Sequence, residues 1–446
     1  GTGSYDESRV LQSNPTLNFI ATYKKEIGKF TANAQVGYHQ MEQESKTLSV
    51  HGEKFLVADF QSINNCDNLS IYTKTVNSTR RLQAVSGSME FGYNNIAFLT
   101  FRARNDWSST LPTNNNTYFY PGVEGSIILS DLPFLKPYSD ILSYVKLRGS
   151  WAKVGKDAPP LSIYPALEST SSTAGGYRYG YTGPNVNLRP EMNTSWEVGL
   201  EGRLLRNRIN FDVAYYNTES ADQIITGFRL SYGTGFVLNN MNVGTFKTDG
   251  VELVVNGDII KTRDWLLNVG VNMSKNWSKV TFLPENVTEY YNAYTWVSGN
   301  IRNGIKVGYP ITSITGLDFQ KNDKGQVLID PSTGLPLVNS TWSVIGNREP
   351  KLRFGFTGQV KYKGLSLSAL LDGRIGATVV NGTKRYMMQY GYSWESVDMR
   401  ERGPVVFNGV LKDGYENTTT PTTNSISVKY GDLATGYSGG DASWVE

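Results

Sequence analysis

The stretch Phe30-Thr-Ala-Asn-Ala-Gln-Val-Gly-Tyr-His39 alternates without a break: Phe30, Ala32, Ala34, Val36 and Tyr38 fall on one side, and Thr31, Asn33, Gln35, Gly37 and His39 on the other. Successive side chains of an extended chain point to opposite faces, so this is a strand with one apolar and one polar face. A helix would bring its apolar residues back three and four positions apart instead. Residues 194–204 repeat the pattern, with Trp196, Val198, Leu200, Gly202 and Leu204 opposite Glu197, Gly199, Glu201 and Arg203. A one-residue slip would exchange the two faces completely and put those charges where the apolar side belongs.

Working outward gives about twelve strands, at roughly 16–24, 30–40, 82–93, 96–106, 120–129, 143–153, 194–204, 208–217, 246–259, 264–277, 352–362 and 365–374. Within successive pairs the links are mostly short: 25–29, 94–95, 205–207, 260–263 and 363–364, with a longer one at 130–142 that carries Pro133 and Pro137. Between pairs they are long and polar, at 41–81, 154–193, 218–245 and 278–351, with a further stretch at 375–440. Compact soluble domains rarely carry such connections. Short turns at one end and long loops at the other are the layout of an outer-membrane β-barrel, with the turns toward the periplasm and the loops outside the cell. The expected fold is therefore all-β, an antiparallel transmembrane barrel in the outer membrane of a Gram-negative bacterium. Residues 1–446 form part of that one domain.

Composition narrows the function classes. Over 446 residues, 43 basic and 40 acidic side chains leave a formal charge of +3. That balance excludes the basic surface a phosphate backbone needs, so nucleic acid is not an expected partner. The single cysteine, Cys66, rules out an internal disulfide framework or thiolate cluster, and two histidines, His39 and His51, leave little for an imidazole site. No metal or other cofactor is expected. No apolar run approaches the roughly 18–20 residues of a membrane-spanning helix, and mean hydropathy is −0.35. A barrel wall is apolar on alternate residues only, so its mean hydropathy stays low, and 27 Tyr with 45 Gly suit such a wall. The chain opens on Gly1-Thr-Gly-Ser4 and closes on Asp441-Ala-Ser-Trp-Val-Glu446 without a terminal strand; both ends read as cut, and a portion of a longer, processed protein is expected.

Two sets of residues are candidates for function. Arg102 and Arg104 alternate with Phe101 and Ala103, which places both guanidinium groups on the lumen side, where they could meet substrate or a plug or simply form ion pairs. Aromatic clusters lie in the long connections: Tyr177, Tyr179 and Tyr181; Tyr290, Tyr291, Tyr294 and Trp296; Tyr386, Tyr390, Tyr392 and Trp394. Flat rings make rigid contacts with sugars and with protein partners, and they also serve as girdle or loop packing. No arrangement of nucleophile, base and orienting group stands out: His39 lies near Glu42, and His51 near Glu53, with no motif around either. An enzyme is not expected. Residues 321–325 lack the carboxylates of a calcium loop and read as a turn, as do residues 330–334.

Five stretches carry a family resemblance: Val145-Lys-Leu-Arg-Gly-Ser-Trp151; Asn187-Leu-Arg-Pro-Glu-Met-Asn-Thr-Ser-Trp-Glu-Val-Gly-Leu200 with Asn207-Arg-Ile-Asn-Phe-Asp-Val-Ala-Tyr-Tyr-Asn217; Asn242-Val-Gly-Thr-Phe-Lys-Thr-Asp-Gly-Val-Glu-Leu253; Gly308-Tyr-Pro-Ile-Thr-Ser-Ile-Thr-Gly316; and Ile345-Gly-Asn-Arg-Glu-Pro-Lys-Leu-Arg-Phe-Gly-Phe356 running into Leu371-Asp-Gly-Arg-Ile-Gly376. In this order they resemble the carboxy-terminal barrel part of SusC-like (RagA-like) TonB-dependent outer-membrane transporters of the Bacteroidetes. The resemblance implies a barrel of about 22 strands, an internal plug, energy from the TonB complex, and a SusD-like surface lipoprotein that captures oligosaccharide or peptide. Relative to that pattern the plug and the final strands are missing from this chain. The motifs themselves specify architecture: Arg189-Pro190 precedes a strand, Asn207 sits in a tight turn, and Gly250 is expected to mark a kink. A barrel that serves only as receptor or adhesin is the alternative, since fold alone does not assign function.

Overall fold

A computed structural model describes residues 3–170, 176–229, 235–285, 287–291, 301–401 and 404–428. In chain order the strands are β1 (Ser4–Ser13), β2 (Thr16–Ile27), β3 (Phe30–Glu53), β4 (Tyr72–Tyr93), β5 (Ala97–Ser108), β6 (Thr117–Ile128), β7 (Leu142–Lys156), β8 (Leu167–Thr170), β9 (Gly176–Tyr179), β10 (Thr182–Gly183) and β11 (Glu191–Leu204). They continue with β12 (Ile209–Arg229), β13 (Leu238–Lys261), β14 (Trp265–Phe282), β15 (Tyr290–Tyr291), β16 (Ile301–Ile305), β17 (Ser313–Gly316), β18 (Leu328–Ile329), β19 (Ser343–Asn347), β20 (Leu352–Tyr362), β21 (Leu365–Ile375) and β22 (Val410–Leu411). Two helices, α1 (Gly382–Gln389) and α2 (Trp394–Glu401), follow β21. No helix among the described residues is long and apolar enough to cross a membrane.

The residues group into two units. The first, 1–275 with 281–284 and 354–373, is built on one 14-stranded sheet in the order β1-β3-β4-β5-β6-β7-β11-β12-β13-β14-β20-β21, with β2 also on β3 and β10 on β13. All twelve strands anticipated from alternation are present. β1 was not anticipated, and its register explains what it is: Ser13 faces Glu44 and Thr16 faces Met41, so β1 and β2 continue one line along β3, interrupted at Asn14-Pro15. Proline has no N–H to give to the ladder and is tolerated on an edge strand; its carbonyl still accepts from Glu42 N–H at 3.1 Å.

Turn chemistry sets the short ends. Gly28 (φ 60°) turns β2 into β3, Asn94 and Asn95 (φ 52° and 55°) turn β4 into β5, and Leu205, Arg206 and Asn207 are all left-handed between β11 and β12. Paired positive φ values match the right-handed twist of the flanking strands, and Asn tolerates them best after Gly. At the other end several strands run further than alternation suggested. β3 continues to Glu53 and β4 begins at Tyr72, because Glu44 to His51 keep ladder partners although one face has become polar and the other mixes Glu44 and Lys46 with Leu48 and Val50.

Register carries the two faces across the whole wall. Phe30 faces Tyr93, Phe91 faces Leu99, Phe101 faces Val123, Val123 faces Trp151, Trp151 faces Trp196, and Leu200 faces Val213, which faces Leu253. The polar residues between them line up in the same way. Their exposure is inverted relative to a protein built for water: Phe30, Val36 and Val198 are 61%, 60% and 49% exposed, while Thr100 and Asp106 on the polar face are 7% and 4%. Apolar surface left open this way loses about 25 cal/mol per Å² in water and nothing in lipid. The apolar run starts at the turn and stops eight positions from it on several strands, at Tyr38 on β3 (from Phe30), Val85 on β4 (from Tyr93) and Trp196 on β11 (from Leu204). Eight residues measure about 27 Å along a strand, or about 20 Å upright at a tilt near 40°, close to the apolar band of an outer-membrane wall. Aromatic pairs mark its edges: Phe30 with Tyr93 at 5.0 Å and Trp265 with Tyr362 at 4.4 Å near the turns, Trp196 with Tyr215 at 5.3 Å at the far side. Gly250 has a packing role on β13. It keeps register with Tyr216 and leaves room for that ring, which a Cβ would overlap.

The second unit, 276–280 with 285–353 and 374–446, contains the sheet β15-β16-β17-β19, the parallel pair β18–β22 and both helices. Ile329, Phe407 and Val428 form a small core in it. Asn322 donates to Glu416 O at 2.8 Å and Lys324 to Thr418 O at 2.9 Å, so two stretches almost a hundred residues apart fold together.

Candidate functional site

The polar face of the large sheet is a ladder of charge pairs. Arg102 and Arg104 of β5 both lie on it; Arg102 meets Glu124 at 3.2 Å, and Arg104 meets Asp106 at 2.6 Å, which also accepts from Tyr120 Oη at 2.7 Å. Arg148 of β7 is the hub of a larger set, bidentate to Asp212 at 2.9 and 3.0 Å and within 3.4 Å of Glu197 and 3.3 Å of Glu201. Bidentate guanidinium–carboxylate pairs fix geometry as well as charge. Lys146 adds a contact to Glu201 at 3.5 Å. This face can hold polar cargo or a polar domain while keeping its own groups oriented. Among the described residues no three His, Cys, Asp or Glu side chains converge as a metal-ligand set.

Above Arg104 the connection after β7 folds back onto the same face. Asp157 is 7% exposed and accepts four hydrogen bonds: Arg80 Nε at 2.8 Å, Arg80 Nη2 at 2.9 Å, Ser108 Oγ at 2.5 Å and Thr110 Oγ1 at 3.1 Å. Burial pushes its carboxyl up, but the hydrogen bonds from Arg80, Ser108 and Thr110 outweigh burial and hold it below the ordinary carboxylate range. Further along, Leu188 is fully buried among Leu111, Tyr118, Ala158 and Ile163. Burying one leucine is worth about 1.5–3 kcal/mol. Asn242 clamps Arg189 by its backbone, accepting from its N–H at 2.9 Å and donating to its carbonyl at 2.8 Å, and Asn240 donates to Ser162 O at 2.8 Å. Two of the sequence motifs, Asn187-Leu-Arg-Pro and Asn242-Val-Gly, thus meet in space. Their repeated Asn residues were the available signal for this, but nothing in the sequence marked Arg80 or Asp157.

The aromatic clusters differ from one another. Tyr177, Tyr179 and Tyr181 lie on and just after β9 and are 77%, 66% and 57% exposed; Tyr179 meets Phe236 edge-on at 6.2 Å, and Arg178 lies 5.4 Å over the Tyr181 ring. Tyr177 and Tyr179 share a side of β9, while Tyr181 follows beyond the end of the strand, where its ring meets Arg178. Tyr291, by contrast, is committed within its own unit: Arg302 is sandwiched between Tyr291 and Trp342 at 3.8 and 3.9 Å and bonds Glu289 at 2.9 and 3.0 Å. Burial raises the Glu289 carboxyl, while Arg302 and Thr315 outweigh it and hold it low. Tyr290 pairs through its backbone with Ile305, and burial raises its phenol. Tyr294 and Trp296 lie outside the described residues. Tyr386 on α1 stacks at 6.3 Å on Tyr390, which caps that helix, and Tyr392 and Trp394 stand out at 79% and 82% exposure.

His39 bonds Asn18 at 2.7 Å across β2 and β3. His51 stands between Asp6 at 2.6 Å and Glu53 at 3.3 Å, and these two carboxylates raise its pKa. Both link neighbouring strands, and Cys66 is buried with its thiol directed to Ser62 O.

Comparison with known proteins places this geometry in context. A family model described as TonB dependent receptor-like, beta-barrel, matches residues 2–445. The TonB-dependent receptor P26 of Formosa agariphila is 25% identical over 390 residues, which cover 80% of this chain and 38% of that protein. The TonB-dependent receptor SusC of Bacteroides thetaiotaomicron is 23% identical over 315 residues, 66% of this chain and 31% of that protein. In fold the chain is similar to the structure of the RagAB peptide transporter, with a TM-score of 0.72 at 21% identity over 86% of this chain and 43% of that one. The chain therefore spans well under half the length of each.

Proposed function

Because the chain belongs to the TonB-dependent receptor-like β-barrel family of the Gram-negative outer membrane, we propose that the protein it forms part of imports a nutrient. The wall encloses a polar lumen, a plug region upstream fills it, and the TonB complex supplies the energy through that plug. A SusD-like surface lipoprotein delivers oligosaccharide or peptide at the mouth formed by the long connections. The observation that carries this reading is the two-sided wall: an apolar band of constant height against lipid, and behind it charges paired with one another, as Arg148 is with Asp212, Glu197 and Glu201. Paired charges leave a polar path without a single strong trap for cargo.

The test is uptake by cells that lack the full-length protein. Energy-dependent accumulation of labelled peptides or of labelled oligosaccharides should fall in the deletion strain and in a strain without TonB, and which class falls names the cargo. Unchanged accumulation of both, with surface binding lost, would instead give the receptor reading.

A further inference from the structure

A connection tied at both ends to one face of a sheet lies across that face. Asp157 is held by Arg80 on β4, while Ser162 and Asn185 are held by Asn240 on β13 at 2.8 and 2.7 Å. β5, β6, β7, β11 and β12 lie between those two strands in the sheet. Six strand spacings measure about 29 Å along the wall. Between the anchors Leu188, Ile163 and Ala158 pack on Tyr118 and Tyr120 of β6, on the face that carries Arg102 and Arg104. Thr182 and Gly183 add a parallel pairing to Leu238 and Asn239.

We propose that the described residues 157–170 and 176–190 are a fixed size filter, a bar across the passage that limits the cross-section of any molecule reaching the polar face beneath it. Arg80, Asp157 and Asn242 are its positioning residues. The inference rests on reading that face as the lumen. The bar is fixed and not a lid because lifting it would strip the buried Asp157 of its Arg80 partner, free both backbone groups of Arg189 and expose Leu188, all at once. The limit it sets is accordingly a property of the wall, present whether or not cargo is bound.

The experiment uses the full-length protein in intact cells, with Cys66→Ser as background and Ser150→Cys as reporter, since Ser150 is exposed on the polar face of β7 opposite Glu197. Maleimides on polyethylene glycol chains of increasing length are applied from outside. With the native bar the large reagents should label far more slowly than the small one. In Asp157→Asn/Asn242→Ala, and in a second variant with residues 159–187 replaced by a short Gly-Ser linker, the large reagents should react at least ten-fold faster, with the small one unchanged. Heat-modifiable migration on gels confirms that each variant is folded. An identical size dependence in the native and linker proteins overturns the proposal. Labelling needs no transport, so this result and the uptake result fail independently.

Discussion

At the scale of the residue, the sharpest consequence of the wall is an asymmetry between neighbouring positions. Leu200→Arg, in the middle of the apolar band, should lose about 2–4 kcal/mol of folding free energy in a bilayer, whereas Ser150→Arg, facing Glu124 and Glu197 on the polar side, should lose much less. Denaturant titration of refolding into vesicles checks this, and equal losses would break the face assignment. Gly199, the polar-face position next to Leu200 in the sequence, is unsuitable as the control, since a Cβ there would stand 2.7 Å from Arg148 Cζ. Asp157→Asn leaves the half-buried Arg80 without its charge partner and should cost about 1–3 kcal/mol, read as a lower melting temperature. The native pair has a defined pH window. A carboxyl held low in the folded state adds stability that is complete above its unfolded value, about 3.9, and is lost as pH falls through the folded one. Melting temperature should therefore stay level from neutral pH down to about 4 and then drop, and the drop should shrink in Asp157→Asn. Residue identities told little of this in advance: alternation revealed which face Arg102 occupies, but the partner of Asp157 is 77 positions away and carries no local mark.

At the scale of the element, period-two alternation is a local property of the chain, and that is why every strand it marked is present. It failed where the cause was not local. β3 and β4 extend far past the apolar band because each supplies the other with ladder bonds, and a strand that meets water on both faces has no alternation to read. β1 escaped for the same reason, and the break at Asn14-Pro15 hid its continuity with β2. Gly250 seats a tyrosine from the preceding strand, a role that its own sequence neighbourhood does not mark. The two kinds of connection should also differ in accessibility. Leu69, 96% exposed in the connection between β3 and β4, should label as cysteine in intact cells carrying Cys66→Ser, and Asn207, in the turn between β11 and β12, should label only after the cells are broken. The reverse pattern would invert the topology.

At the scale of the whole molecule, the aromatic clusters were legible as clusters and not as sites, because exposure depends on what the long connections fold against. The structure separates a ring walling in Arg302 from rings that stand open, and the open rings are the ones suited to a partner contact. Truncating Tyr177, Tyr179 and Tyr181 together to alanine in the full-length protein should reduce co-purification of the surface lipoprotein at least ten-fold, as exposed aromatic anchors carry much of an interface. Intact complex with reduced uptake would place these rings on the cargo path; no change in either would overturn the contact role. The length of β3 reaches beyond transport. Its 24 residues run about 79 Å, roughly 60 Å upright, against an apolar band of about 20 Å. Some 40 Å of β3 and β4 therefore extends past the apolar band as a stiff paired ribbon. Where the long connections face outside the cell, this ribbon is what an antibody meets: one raised against residues 44–53 in their paired form should stain living cells, and an absence of staining would place the ribbon on the inner side.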